Sequence, residues 1–194
     1  MFNISNKISY NGLMVQGIKV DGKADFFNIK GKAMDKFVKE QAEFLKKQIQ
    51  EKRKELEKKA KEDKKENYDY RNDIYIISPF KNISVKLAVY LKKELDFTLY
   101  EKNDSNKKSI NIGTVHTFQG KEANIVYLVL GCDSNSKGAA AWAVTEPNIM
   151  NVAATRAKKE FYIIGDKELY EDLNAEVIIK TIQEIDKFNI KSVK

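Results

Sequence analysis

The chain has 194 residues, 42% of them hydrophobic, and a formal net charge of +7, which suits one compact α/β domain or two small ones with a genuine core. Nine Gly and two Pro exclude collagen-like and low-complexity material. A single cysteine, Cys132, excludes a disulfide scaffold and a cysteine zinc cluster, and a single histidine, His116, closes the other common metal route, so no metal ligands are expected.

In chain order, NISNKISYNGLM reads as helix and GIKVDGKADFFNIKG as extended chain, because Phe26, Phe27 and Ile29 sit between glycine-containing turns. A long helix is expected over residues 35–66. Phe37, Val38, Phe44, Leu45 and Ile49 recur at helical spacing, and only Leu56 and Ala60 continue the stripe, so the helix is expected to outrun its core and project from the body. Residues 46–65 hold ten Lys/Arg against five Asp/Glu, +5 of the total charge. Such a stretch is either a solvated helix laced by i,i+4 pairs, such as Glu55 with Lys59, or a basic rod along a phosphate backbone. DIYIIS is a continuous apolar run of strand length. A helix over about 84–95, with Val85, Ala88, Val89 and Leu91 as its apolar positions, and a polar loop EKNDSNKKS follow. INIGTV, ANIVYLVLG and EFYIIGD read as further strands. A helix over about 147–158 feeds the last, with Thr145 as cap and Pro147 in the first turn. Apolar strands alternating with helices predict a parallel sheet covered on both faces. No apolar run reaches the roughly 18 to 20 residues of a membrane span, and MFNISNKISY lacks a secretory layout, so the expected compartment is the cytoplasm.

Two segments concentrate chemistry. TVHTFQGKEANIVYL (114–128) passes from one strand to the next through a turn rich in hydrogen-bonding groups, Thr114, His116, Thr117, Gln119 and Glu122, with Gly120 allowing close backbone approach. It is either a site at a sheet edge or an ordinary polar loop. In NVAATRAKKEFYIIGD (151–166), Arg156 lies among small residues where its guanidinium fork can meet a phosphate or make a structural ion pair.

In this order and spacing the two segments resemble motifs V and VI of superfamily one helicases, of the group that includes the nonsense-mediated-decay helicase. IYIISPFK (74–81) is similar to motif IV of that group, and NISNKISYNGLM to the helix opening its second motor domain. The resemblance implies a RecA-like α/β fold of the P-loop NTPase type, spanning residues 1–194 as one motor domain of a longer protein. It implies that Arg156 is an arginine finger toward the ATP γ-phosphate and that Gln119, Gly120, Lys121 and Glu122 lie at the nucleotide. It further implies that Ser78, Pro79, Phe80, Thr114, His116 and Thr117 lie along single-stranded DNA or RNA, although His116 is equally open to a structural role. ATP and Mg2+ would be bound mainly by a first RecA-like domain of the same polypeptide, and translocation would run 5′ to 3′. The string GIKVDGKA (17–24) is no P-loop, because Ala24 stands where Ser/Thr would hold magnesium and extended chain follows where a helix is required. The domain is therefore expected to be inactive alone. The alternative is a non-catalytic nucleic-acid-binding or scaffolding module that keeps the fold without the engine.

Overall fold

The computed structural model describes residues 22–101, 108–145 and 147–192. The helix expected in NISNKISYNGLM and most of the loop EKNDSNKKS lie outside the described residues. Five parallel strands form one sheet in the order β1 (Lys23–Asn28), β7 (Ala157–Gly165), β6 (Ala123–Val129), β4 (Ile74–Ile77), β5 (Ile112–Gly113). The extended reading of ADFFNIKG holds, and this segment becomes the edge strand beside β7, in register from Lys23 opposite Glu160 to Asn28 opposite Gly165.

The central strands are apolar on both sides, as a sheet sandwiched between helices requires. Along β6, Val126 and Leu128 face one core while Ile125, Tyr127 and Val129 face the other; β7 divides likewise into Phe161 and Ile163 against Tyr162 and Ile164. α1 (Lys39–Glu62) and α2 (Lys81–Leu95) cover the second face. α3 (Lys137–Thr145), α4 (Pro147–Arg156), α5 (Lys167–Asp172) and α6 (Glu176–Ser192) pack against the first. The architecture is RecA-like α/β. No helix among the described residues is long and apolar enough to cross a membrane.

Several expectations are corrected. Residues expected to begin the long helix form a hairpin, β2 (Ala33–Met34) with β3 (Phe37–Val38), turning at Asp35 and Lys36, both with positive φ. It is tied down from outside: Asp35 pairs with Lys86 of α2 at 2.5 Å, and the Ala33 N–H donates to Asp133 Oδ2 at 2.9 Å. α1 therefore spans 39–62 rather than 35–66, and it lies along the sheet instead of projecting. Leu45 and Ile49 are fully buried, Leu56 packs on the same core, and Ala60 is still buried. Two polar residues help seat it. Buried Gln41 accepts from the Gly131 N–H at 3.0 Å and donates to the Ile29 carbonyl at 3.2 Å, while Lys52 pairs with Glu160 of β7 at 2.7 Å. Among its other cations, Lys46 is paired with Glu43 and Glu94, and Arg53 with Glu57. These pairs favour the solvated reading of its charge.

α2 begins at Lys81, and its buried face is Ile83, Leu87, Ala88 and Leu91; Val85 and Val89 point outward. β5 keeps only two residues of INIGTV. α4 ends at Arg156, and Pro147 opens it as expected, while the Thr145 side chain lies outside the described ones.

The fully buried Tyr127 stacks on Tyr162 at 5.1 Å, and its hydroxyl has no hydrogen-bond partner among the described residues. A buried unsatisfied hydroxyl costs free energy that a phenylalanine avoids. Tyr127→Phe is expected to leave the free energy of urea unfolding unchanged or raise it, by about 1 kcal/mol at most; a loss of more than that would show that the hydroxyl is bonded.

Candidate nucleotide and nucleic-acid site

The residues singled out from the sequence do not share one sheet edge. Thr114 leaves β5 at its carboxyl end, whereas Glu122 and Arg156 immediately precede β6 and β7 at the opposite, amino ends. Segment 114–122 runs between the two ends across one face of the sheet. Its first half is a short 3-10 turn over Val115–Phe118, in which the Thr114 N–H donates to Thr117 Oγ1 at 3.2 Å and the Thr117 N–H to the Thr114 carbonyl at 2.9 Å. Thr117 is packed so tightly over Gly113 that a Cβ there would collide with its Oγ1. Phe118 is the anchor: fully buried, with its ring stacked 4.4 Å from that of Tyr75.

At the amino ends, Gln119, Gly120, Lys121 and Glu122 are exposed, and Gly120 has φ +74, a conformation that costs other residues dearly. Arg156, half-buried, is the last residue of α4 and is followed without a loop by β7. Its guanidinium reaches the carbonyls of Phe118 and Lys121, both at 3.4 Å, Thr155 Oγ1 at 3.2 Å, and the Val152 carbonyl at 3.3 Å. All four acceptors are neutral. Among the described residues Arg156 makes no ion pair, so the structural salt bridge weighed from the sequence is not formed. The bonds are also longer than the roughly 2.7–2.9 Å of a cation meeting an anion. The site therefore offers a held, positively charged fork with donor capacity to spare.

Lys158 was not anticipated. The register of β6 on β7 slips between Ala123 opposite Ala157 and Ile125 opposite Glu160, a bulge that places Lys158 3.6 Å from Glu122. The sequence shows the lysine but not the slip that turns it.

At the carboxyl ends Ser78 and Pro79 are buried. Ser78 donates its N–H to the Gly113 carbonyl at 2.9 Å, and its Oγ lies 3.4 Å from the Phe80 N–H, which donates to it. They shape the turn, and Phe80 is the residue of the three that reaches the surface, with Thr114 half-buried and His116 exposed nearby in the chain.

A parallel sheet with helices on both faces, joined end to end by the turn-rich segment 114–122, gives the chain a RecA-like α/β domain. The AAA domain family model matches residues 3–168, and the chain belongs to that family, whose domain is found in superfamily one helicases. Regulator of nonsense transcripts 1 of Dictyostelium discoideum is 29% identical to it over 98 residues, which is 50% of this chain and 7% of that protein. The match thus spans a small part of that relative's length. It supports placing the chain in the nonsense-mediated-decay-helicase-like group.

Proposed function

We propose that the chain is the second RecA-like motor domain of an ATP-dependent helicase acting on single-stranded DNA or RNA. In this reading ATP sits between it and a first motor domain of the same polypeptide. Arg156 holds the negative charge that builds on the transferred phosphoryl group, with Gln119, Gly120, Lys121 and Glu122 framing the nucleotide. Phe80, Thr114 and His116 face the strand, over a turn shaped by Ser78, Pro79 and Thr117. The observation that carries the reading is the half-buried guanidinium held by neutral acceptors at 3.2–3.4 Å, with no carboxylate partner among the described residues. A phosphate oxygen would be its first anionic partner. In this reading Mg2+ accompanies the ATP and is held mainly by the first motor domain.

The same four bonds favour a second reading, in which Arg156 staples the 118–121 turn in a non-catalytic nucleic-acid-binding module. Strand-stimulated ATP hydrolysis decides between the two, measured on the product of the complete reading frame beside the 194-residue chain. Hydrolysis by the former alone is the expected result. Its absence from both would establish the module, and hydrolysis by the isolated chain would overturn the placement of ATP between two domains.

A further inference from the structure

The crossovers of the sheet change side between β4 and β6. From β4 the chain passes through α2 to β5 on one flank, whereas from β6 it passes through α3 and α4 to β7 on the other, and the two sets of helices cover opposite faces. Beyond the carboxyl ends of these two strands the divergence opens a cleft of about 370 Å3. Open α/β sheets take ligands at this kind of crevice.

The cleft is mainly apolar, lined by Phe80 and Ile83 after β4 and by Gly131 and Cys132 after β6. Gly131 has φ +68, and a Cβ there would meet the Ile83 side chain at 2.5 Å, so the wall depends on glycine. Burial pushes the Cys132 thiol up to about 11, which keeps it neutral. Burial also works to raise Asp133, but hydrogen bonds from Ser136 and from the Ala33 N–H outweigh it and leave the carboxylate ionised and committed to its own loop and to the β2–β3 hairpin. Trp142 is not itself one of the lining residues; it leaves 57% of its surface exposed and sets its indole 5.6 Å from the ring of Phe80, which does line the cleft, at 38°. Lys36 lines the opening, and Lys81 and Lys137 adjoin lining residues in the chain. All three are exposed, and none forms an ion pair among the described residues.

An exposed tryptophan set against a half-buried phenylalanine of an apolar crevice, with basic flanks, fits a ligand that is flat, aromatic and linked to phosphate. We propose that the cleft is a base-stacking site: an unpaired nucleobase of the bound strand lies against Trp142 and Phe80, and Lys36, Lys81 and Lys137 attend the neighbouring phosphates. The proposal rests on the nucleic-acid reading above and adds a base contact to it. Stacking of this kind tolerates any base, because every base presents a π-face.

Trp142 is the sole tryptophan of the 194 residues, so intrinsic fluorescence reports on it alone. The chain is titrated with fluorescein-labelled oligothymidylate and oligouridylate of about twelve nucleotides, within the usual site size, and with an abasic strand of equal length. Anisotropy reads total binding and tryptophan emission reads stacking. Base-bearing strands are expected to quench the emission saturably and in step with anisotropy, while the abasic strand binds more weakly and leaves the emission unchanged. Trp142→Ala is expected to weaken base-bearing strands about tenfold, Trp142→Phe to restore most of that loss, and both to bind the abasic strand as the parent does. Binding without quenching, with Trp142→Ala equal to the parent, would overturn the stacking site and leave the nucleic-acid reading intact. No anisotropy change with any strand would overturn both.

Discussion

Arg156→Ala in the complete protein is expected to lower the kcat of strand-stimulated ATP hydrolysis by about a thousandfold or more, the range over which arginine fingers act. That corresponds to roughly 4 kcal/mol of transition-state stabilisation. ATP affinity should change only a few-fold, because the interaction strengthens as charge develops rather than in the ground state. Arg156→Lys should not rescue the rate: an ammonium lacks the planar fork that can hold two oxygens at once. The stapling role gives a different pattern. The guanidinium spans the Phe118 and Lys121 carbonyls, so a purely structural arginine would show its loss in the melting temperature first, with hydrolysis falling in proportion. A variant that melts like the parent but turns over at less than a hundredth of its rate is the expected outcome, and one that hydrolyses within threefold of the parent would remove Arg156 from the chemistry.

Phe118→Ala is expected to cost about 3–5 kcal/mol of folding stability, the usual range for emptying a buried aromatic site. The ring is fully buried, belongs to the core beneath α4 and stacks on Tyr75 at 4.4 Å. Domains of this size hold roughly 5–15 kcal/mol in total, so the variant would be marginal. Its melting midpoint should fall by roughly 10 °C, measured by circular dichroism alongside urea unfolding. A loss below about 1 kcal/mol would mean that segment 115–122 is a surface loop and not a packed strap, since only burial makes the substitution costly.

Much of the sheet was legible because its central strands are written as uninterrupted apolar runs. IYII, ANIVYLV and EFYIIG are too short for helices of this apolarity and alternate with polar helical stretches, which leaves a parallel sheet as the simplest arrangement. The errors share a physical origin. A hydrophobic-stripe reading assigns polar residues to solvent, yet Gln41 and Lys52 are seated by tertiary partners at Gly131, Ile29 and Glu160, and this is why α1 lies against the body where a projecting arm was expected. The 33–38 hairpin was hidden because Asp35 and Lys36 adopt positive φ without a glycine to announce it. In α2 two apolar stripes compete at the same spacing, and only contact with the sheet selects Ile83, Leu87 and Leu91 over Val85 and Val89.

The site was legible in parts and not in its layout. The sequence displays Thr114 to Glu122 as one cluster, and nothing local to it reveals that its two halves lie at opposite ends of the strands. Nor does it show that Ser78 is consumed in shaping a turn, or that Trp142, 62 residues after Phe80 in the chain, comes to rest against it.

The direct passage of α4 into β7 has a mechanical meaning. With no residue between Arg156 and Ala157, the backbone beneath the guanidinium has no slack. A swing of the whole domain would carry that cation as a rigid attachment of the sheet, and the only searching left to it would be by its own side-chain torsions. Most of the ordering that a loop-borne charge would undergo on meeting its target has already been settled in the fold.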